Sequence, residues 1–293
     1  MSLRVRLIGD HSSLHGGSWA VWQVLCDRMR ALGHEIVPEG AAYDLMVCNG
    51  EGSMHHGRRP FRLKMEALRG ALEAGRRAAL VNTLWQDNPP DYDDVLRGLD
   101  LIVTREVRSR ADLRDRHGIE ARCAIDLSWF QPLPDAPPGP AVPVLATDFF
   151  SREFATFVRP TGGPLGTLPH LDMGATGWAE TVRRMQGAAL VVTGRHHGVY
   201  AACRAGVPFL ALDGNSHKIA GLFEGSGQAI PLFDDPARLV RRMRRGDLPA
   251  ARYEALFRWM DGHDLEAALP AGPLSAGGAG AGGVAPGSGH AIR

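Results

Sequence analysis

The run Ala189-Leu-Val-Val-Thr-Gly-Arg-His-His-Gly-Val-Tyr-Ala-Ala-Cys-Arg-Ala-Gly-Val-Pro-Phe-Leu-Ala-Leu-Asp213 reads as strand, tight turn, short helix and strand. Ala189 to Val192 is an unbroken apolar stretch of the kind that fills a parallel strand covered on both faces, and Thr193-Gly194 interrupts it. Arg195 to Arg204 suits a short helix, with Gly206 placed to stop it and Pro208 to prevent its return. Val207 to Leu212 supplies a second buried strand. Arg195, His196 and His197 therefore fall at the carboxyl end of one strand and the amino end of the next helix, where open α/β sheets bind ligands. The unpaired N–H groups of a first helical turn favour an anion, and a guanidinium and an imidazole beside them add charge and a proton donor. One such residue alone reads as a solvated or satisfied loop group. Three together in a strand-to-helix turn read as a site.

The same alternation extends outward in both directions. Upstream, strands are expected at Arg4 to Ile8, Glu35 to Val37, Tyr43 to Cys48, Ala78 to Val81, Leu101 to Thr104 and Ala121 to Ile125. Helices fall between them at Trp19 to Leu32, Phe61 to Gly75, Tyr92 to Gly98 and Ser109 to His117. Gln131 to Pro140 holds five prolines in ten residues and reads as a stiff linker. Beyond it come a strand Val142 to Thr147, a helix Ser151 to Val158, a strand near Gly166 to Leu171 and a helix Thr176 to Gly187. After the quoted run follow a helix His217 to Glu224, a strand Ala229 to Phe233 and helices Pro236 to Arg245 and Ala250 to Leu269. The expected fold class is α/β, with two Rossmann-like domains built on parallel sheets and facing a cleft. Residues 1–130 form the first domain, 131–140 the linker and 141–270 the second. The Gly/Ala-rich tail 271–293 has nothing to bury and is expected to be disordered.

Composition narrows the function classes. The 293 residues are 44% apolar, ample for two cores, and 33 Lys+Arg against 32 Asp+Glu leave a net charge of +1. No global field recruits nucleic acid or an anionic membrane, so any anion site is local. No apolar run approaches the roughly 20 residues of a membrane span, and Met1 to Gly9 is too short and too charged for a signal peptide. A soluble, cytoplasmic protein is expected. Cys26, Cys48, Cys123 and Cys203 stand singly in apolar segments, as small buried hydrophobes of a reducing compartment do.

Four further loops carry candidate chemistry. His11-Ser-Ser-Leu-His-Gly-Gly-Ser-Trp19 follows the first strand and precedes a helix, a phosphate-cradle plan in outline, although Gly16-Gly17 fits no phosphate fingerprint and reads equally as a flexible turn. Asn49-Gly-Glu-Gly-Ser-Met-His-His-Gly57 follows a buried strand. There Gly50 and Gly52 let the backbone approach a ligand, while Asn49, Glu51, Ser53, His55 and His56 supply donors and acceptors. Adjacent histidines point different ways on a regular element and no carboxylate stands at a usual ligand spacing, so no metal is assigned. Arg105 follows a third strand and Asp126 a fourth.

These blocks, in this order, resemble the polysaccharide pyruvyl transferase family. The likeness rests on Asn49-Gly-Glu-Gly-Ser, on Val103-Thr-Arg105-Glu-x-x-Ser109 before a helix ending at Gly118, on Asp126, and on Thr193-Gly-Arg195-His196-His197-Gly198 with Gly206-Val-Pro208 behind it. It spans roughly residues 3 to 245. The resemblance implies a GT-B-type enzyme that moves an enolpyruvyl unit from phosphoenolpyruvate onto two hydroxyls of a sugar or glycan, leaving a cyclic ketal and free phosphate. Arg105, Arg195 and Lys218 are then candidates for the donor's carboxylate and phosphate, with Gly50, Gly52, Ser53, Gly194, His196 and Gly198 completing the binding surface. The family pattern places its histidine two residues after the arginine, which is His197 here, and His196 stands where that pattern is usually apolar. His197 is the candidate for proton transfer. Glu51 or Asp126 is the candidate base for the sugar hydroxyl, and Asp126 reads equally as a structural cap before the linker. No cofactor or metal is required, since arginines supply the positive charge.

Two other functions fit the same cleft. A glycosyltransferase using a nucleotide sugar needs a diphosphate at a helix N-terminus and a carboxylate for the ribose, for which Asp213 or Glu224 stands available. A non-catalytic binder of a phosphorylated small molecule needs only the cleft.

Overall fold

The computed structural model describes residues 2–275. The first half runs β1 (Arg4–Ile8), α1 (Gly16–Ala31), β2 (Glu35–Ile36), β3 (Leu45–Glu51), α2 (Arg59–Glu73), β4 (Arg77–Thr83), α3 (Asp93–Gly98), β5 (Leu101–Thr104), α4 (Val107–His117) and β6 (Arg122–Cys123). Its six strands are all parallel, in the order β2-β1-β3-β4-β5-β6. Side chains alternate across the sheet as the pleat requires. Leu45, Val47, Ala79, Val81, Leu101 and Val103 pack with α1 on one face, while Met46, Cys48, Ala78, Leu80 and Ile102 pack with α2, α3 and α4 on the other.

The second half contains β7 (Leu145–Thr147), β8 (Phe149–Ser151), β9 (Thr156–Val158), α5 (Gly163–Gly166), β10 (His170–Leu171), α6 (Trp178–Gln186), β11 (Val191–Thr193), α7 (His196–Ala205), β12 (Phe209–Leu212), α8 (Lys218–Ser226), β13 (Leu232–Phe233), α9 (Pro236–Arg245) and α10 (Ala250–Asp261). Five of its strands form a parallel sheet, β10-β7-β11-β12-β13. The quoted run folds as expected: β11, then α7 closed by Gly206 in the left-handed region at φ 68°, then β12. This is an α/β protein with two Rossmann-like halves. Among the described residues no helix is long and apolar enough to cross a membrane.

Four expectations are corrected. Ser151 to Val158 is not a helix but the greater part of an antiparallel hairpin, β8 paired with β9, because Phe149, Phe150, Phe157 and Val158 pair across a turn at Arg152–Ala155. The helix expected from Trp19 begins at Gly16, with His15 as its cap. The helix expected from Ala250 to Leu269 breaks at Gly262, and the chain crosses back to the first sheet as α11 (Leu265–Ala268) and α12 (Ala271–Leu274). Residues 271–274, assigned to the tail, therefore form a helical turn whose Leu274 is buried beside Val5 and Leu45. Arg77 holds this segment by donating from Nη1 to the Ser275 carbonyl at 2.7 Å and from Nη2 to that of Pro273. The rest of the expected tail, 276–293, lies outside the described residues.

Candidate active site

A cavity of about 190 Å³ lies between the halves, lined from the first by His11, Leu14, His15, Glu51, Gly52, Ser53 and Arg105, and from the second by Phe157, Arg195, His196, His197, Asn215 and Lys218. It sits beyond the carboxyl ends of β3, β5 and β11, where the alternation of strand and helix delivers loops. Glu51, Gly52, Ser53, Arg105, Arg195, His196, His197 and Lys218 thus converge as expected. Gly50, Gly194, Gly198 and Asp126 do not line the cavity. The three glycines act behind it. A Cβ on Gly50 would meet Thr83 Oγ1 at 2.2 Å, one on Gly198 Thr193 Oγ1 at 2.1 Å, and one on Gly194 the Phe149 backbone at 2.8 Å.

Strand β3 continues three residues further than its apolar run, so Glu51 sits on its last position, buried, with a left-handed φ of 41°. Such backbone strain in a residue other than glycine persists only where surroundings over-determine it. Those surroundings are explicit. Ser18 Oγ donates to Glu51 Oε1 at 2.6 Å, Asn49 Nδ2 to Oε2 at 3.3 Å, and the Leu84 amide to the Glu51 carbonyl at 2.9 Å. Buried Lys64 on α2 ties down the loop from beneath, donating to the carbonyls of Asn49 (2.6 Å) and Gly50 (3.1 Å) and to Ser53 Oγ (2.8 Å).

Arg105 and Asp126 form the deepest ion pair, Nη1 to Oδ2 at 2.8 Å, with side chains 1% and 0% exposed. The carboxylate also accepts from the Ser128 amide at 2.9 Å and faces His197 Nε2 at 3.3 Å and His196 Nε2 at 3.6 Å. Burial opposes its ionisation, but the imidazoles of His197 and His196 and the Arg105 guanidinium outweigh that and hold it well below the usual carboxylate range. His196 is fully enclosed. Burial first, then Arg105, pushes its pKa well below the ordinary value, so it stays neutral. Helix α1 reaches this group through Gly17, where a Cβ would stand 2.5 Å from the His197 ring.

On the opposite wall Arg195 donates from Nε to Asp148 Oδ2 at 2.9 Å and lies over the Phe157 ring at 4.0 Å, while no hydrogen bond from its two η nitrogens is found among the described residues. Asp148 also faces His170 at 3.1 Å. Lys218 opens α8 and donates to Asn215 Oδ1 at 2.6 Å and Ser216 Oγ at 3.0 Å. Burial, with the charge of Arg105 next, lowers its pKa to about 7.

Three ligand-type atoms of His15, Glu51 and His197 lie within 4.8 Å of one another. They do not make a metal cage, because His15 Nδ1 accepts from the Gly17 and Ser18 amides at 3.1 and 3.3 Å. The ring proton then resides on Nε2, which leaves that atom no lone pair for a metal. His55 and His56 face each other, Nδ1 to Nδ1 at 2.7 Å, outside the cavity. Glu224 is clamped by Arg108, Nε to Oε2 at 2.8 Å, and neither it nor Asp213 lines the cavity.

Sequence reasoning missed His11, His15, Phe157, Asn215 and Lys64. His15 was legible as a cap, three residues before Ser18 at the start of an apolar helix, had Gly16-Gly17 been read as helical. Phe157 was hidden by reading β8 and β9 as a helix. Lys64 sits on a helix face among apolar residues, where only tertiary structure shows what it reaches.

The profile of polysaccharide pyruvyl transferases matches residues 29–216, more than half of the chain. No curated protein matches it in sequence. Among solved structures, a protein from Klebsiella pneumoniae subsp. pneumoniae superposes with a TM-score of 0.57 at 11% identity, covering 80% of this chain and 94% of its own. Arabidopsis thaliana UGT89C1 superposes at 0.52 and 12% identity, covering 89% and 94%. At these identities the likeness is one of fold: two Rossmann-like domains facing a cleft in the GT-B-like arrangement.

Proposed function

Because the chain belongs to the polysaccharide pyruvyl transferase family, we propose that it moves an enolpyruvyl unit from phosphoenolpyruvate to two hydroxyls of a sugar or glycan, forming a pyruvate ketal. The observation that carries this reading is the convergence of Arg105, Arg195 and Lys218 with Glu51 and an Asp126-backed imidazole in one cavity. Phosphoenolpyruvate brings a carboxylate and a phosphate, and three cations in a desolvated cleft match that charge. The first hydroxyl oxygen bonds C2 while its proton passes to Glu51 and a proton from the His197 imidazolium goes to C3. The second hydroxyl then bonds C2, its proton passing to the now neutral His197 imidazole, as the C2–O bond to phosphate breaks; phosphate leaves with that electron pair and takes up the proton held by Glu51. His197 suits the first proton transfer because its imidazole lines the cavity with Asp126 behind it at 3.3 Å to hold the ring. Asp126 orients His197 and pairs Arg105; wholly buried and already paired, it is not the base. Neither cofactor nor metal enters these steps.

Calorimetric titration with phosphoenolpyruvate, beside UDP and GDP, tests the reading. Wild-type protein is expected to bind phosphoenolpyruvate, and Arg195→Ala to bind it about 100-fold more weakly, the loss of roughly 3 kcal/mol of charge-assisted hydrogen bonding. Nucleotide binding without phosphoenolpyruvate binding sinks it in favour of a nucleotide-sugar donor. The clamping of Glu224 by Arg108 leaves that alternative without one of its expected ribose partners.

The Lys218 ammonium adds a pH dependence. Its pKa of about 7 means that above neutrality a proton must be taken up for the charged form to meet the anion. Phosphoenolpyruvate affinity is therefore expected to fall by up to about tenfold per pH unit above pH 7. In Lys218→Met that slope should flatten, and an unchanged slope removes Lys218 from the anion site.

A further inference from the structure

We infer that His15 and Ser18 form a one-way hydrogen-bond relay that aims the Glu51 carboxylate into the cavity, a positioning role that rests on the reading above. Both residues precede the span matched by the family. The direction of the relay follows from counting protons. His15 Nδ1 accepts from two backbone amides of the first turn of α1, Gly17 and Ser18, so it carries no hydrogen. The neutral ring must then carry its proton on Nε2, which lies 3.2 Å from Ser18 Oγ. The single hydroxyl proton of Ser18 is committed to Glu51 Oε1 at 2.6 Å. Ser18 Oγ therefore accepts from His15 and donates to Glu51, and no member of the chain has a second choice.

His15 cannot reverse this order by becoming protonated near neutrality. Burial, with the charges of His197 and Arg195 next, lowers its pKa to about 2. The helix terminus fixes its tautomer from the other side, because two amides already point at Nδ1. The relay thus delivers a permanent donor to one oxygen of Glu51, and a hydrogen bond to the charged form favours that form. Asn49 supplies the second oxygen. The groups that face Glu51 are His11 and His15 from the loop before α1, Lys64 from α2, Arg105 after β5, His197 from α7 and Lys218 from α8. Most of these act by charge alone and none but the relay acts through Ser18, which makes its contribution separable.

Two measurements on the full chain test this. Nitrogen-15 spectra of histidine-labelled protein are expected to show His15 protonated on Nε2 and bare on Nδ1 from pH 5 to 8. Carbon-13 spectra of the Glu51 carboxyl are expected to show its titration midpoint about one pH unit higher in Ser18→Ala than in wild type, the shift of a lost charge-assisted hydrogen bond. His15→Asn, whose side-chain oxygen still caps α1, separates helix capping from the relay and should move the midpoint in the same direction. A His15 proton on Nδ1, or a Glu51 midpoint that is the same in Ser18→Ala and wild type, overturns the relay. Neither result depends on turnover. Failure of wild-type protein to bind phosphoenolpyruvate, with the relay spectra as expected, overturns the pyruvyl transfer reading instead, and with it the base role assigned to Glu51.

Discussion

His197→Ala is expected to lower turnover by about 10²- to 10⁴-fold, the range that one positioned acid–base group contributes, while leaving phosphoenolpyruvate binding largely in place. The argument is geometric. His197 lines the cavity and stands 3.3 Å from the Asp126 carboxylate, whereas burial drives His196 and His15 far below their ordinary pKa. Its ring packs against Gly17 and edge-on to Trp178, 6.5 Å between centroids, so its orientation is set by both halves of the protein. Phosphate release from phosphoenolpyruvate in the presence of a sugar acceptor measures the effect, with His197→Gln as a variant that keeps the side-chain volume. Full turnover in either variant would remove His197 from the chemistry.

Asp126→Asn is expected to destabilise the protein by about 3–5 kcal/mol, because it leaves the buried Arg105 guanidinium without its counter-charge. The same change removes the charge that the two neighbouring histidines face, so activity should fall together with stability. Denaturant unfolding of the variant measures the loss. The double variant Arg105→Met, Asp126→Leu should recover most of the stability and none of the activity, since a well-packed apolar pair replaces a buried ion pair at little cost. The sign of the pH dependence follows from the depressed pKa. The contribution of Asp126 is present above the ordinary value of 3.8 and is lost as pH falls through its lower value in the folded protein. Stability of the Asn variant equal to wild type at neutral pH would show that the pair contributes nothing.

The parallel α/β order was legible because buried parallel strands are written as short apolar runs between helical segments, and the strands Arg4–Ile8 and Leu101–Thr104 and the helix Pro236–Arg245 carry the bounds expected of them. Residues at strand ends were legible for the same reason, which is how Glu51, Arg105, Arg195 and His197 could be named as candidates that the structure brings to one cavity. What the sequence concealed depends on contacts between distant segments. Phe149 to Val158 holds too few residues for periodicity to separate a hairpin from a helix. Gly16-Gly17 looked like a loop because glycine is a poor helix former, yet both are helical, and a Cβ at either would collide with the second half, at Thr176 and at His197. Asp126 was singled out at the end of its strand with its role left open between base and structural group. Its pairing with Arg105, 21 residues away, supports the orienting role proposed for it and was not readable from the sequence.

The return of the last described residues to the first sheet bears on how this chain is made. Ala268, Leu269 and Leu274 complete the core built by β1, β3 and α1, and the side chain of Arg28 is held to the Leu269 carbonyl at 2.9 Å across 241 positions. A nascent chain emerging from the ribosome has its six-stranded sheet in hand long before these residues are synthesised, at roughly 5–20 residues per second. For that interval one face of the sheet stands partly uncovered, an apolar surface of the kind that chaperones recognise. The two halves are consequently not separable modules: cutting the chain within residues 131–140 would leave the amino-terminal fragment without its last layer.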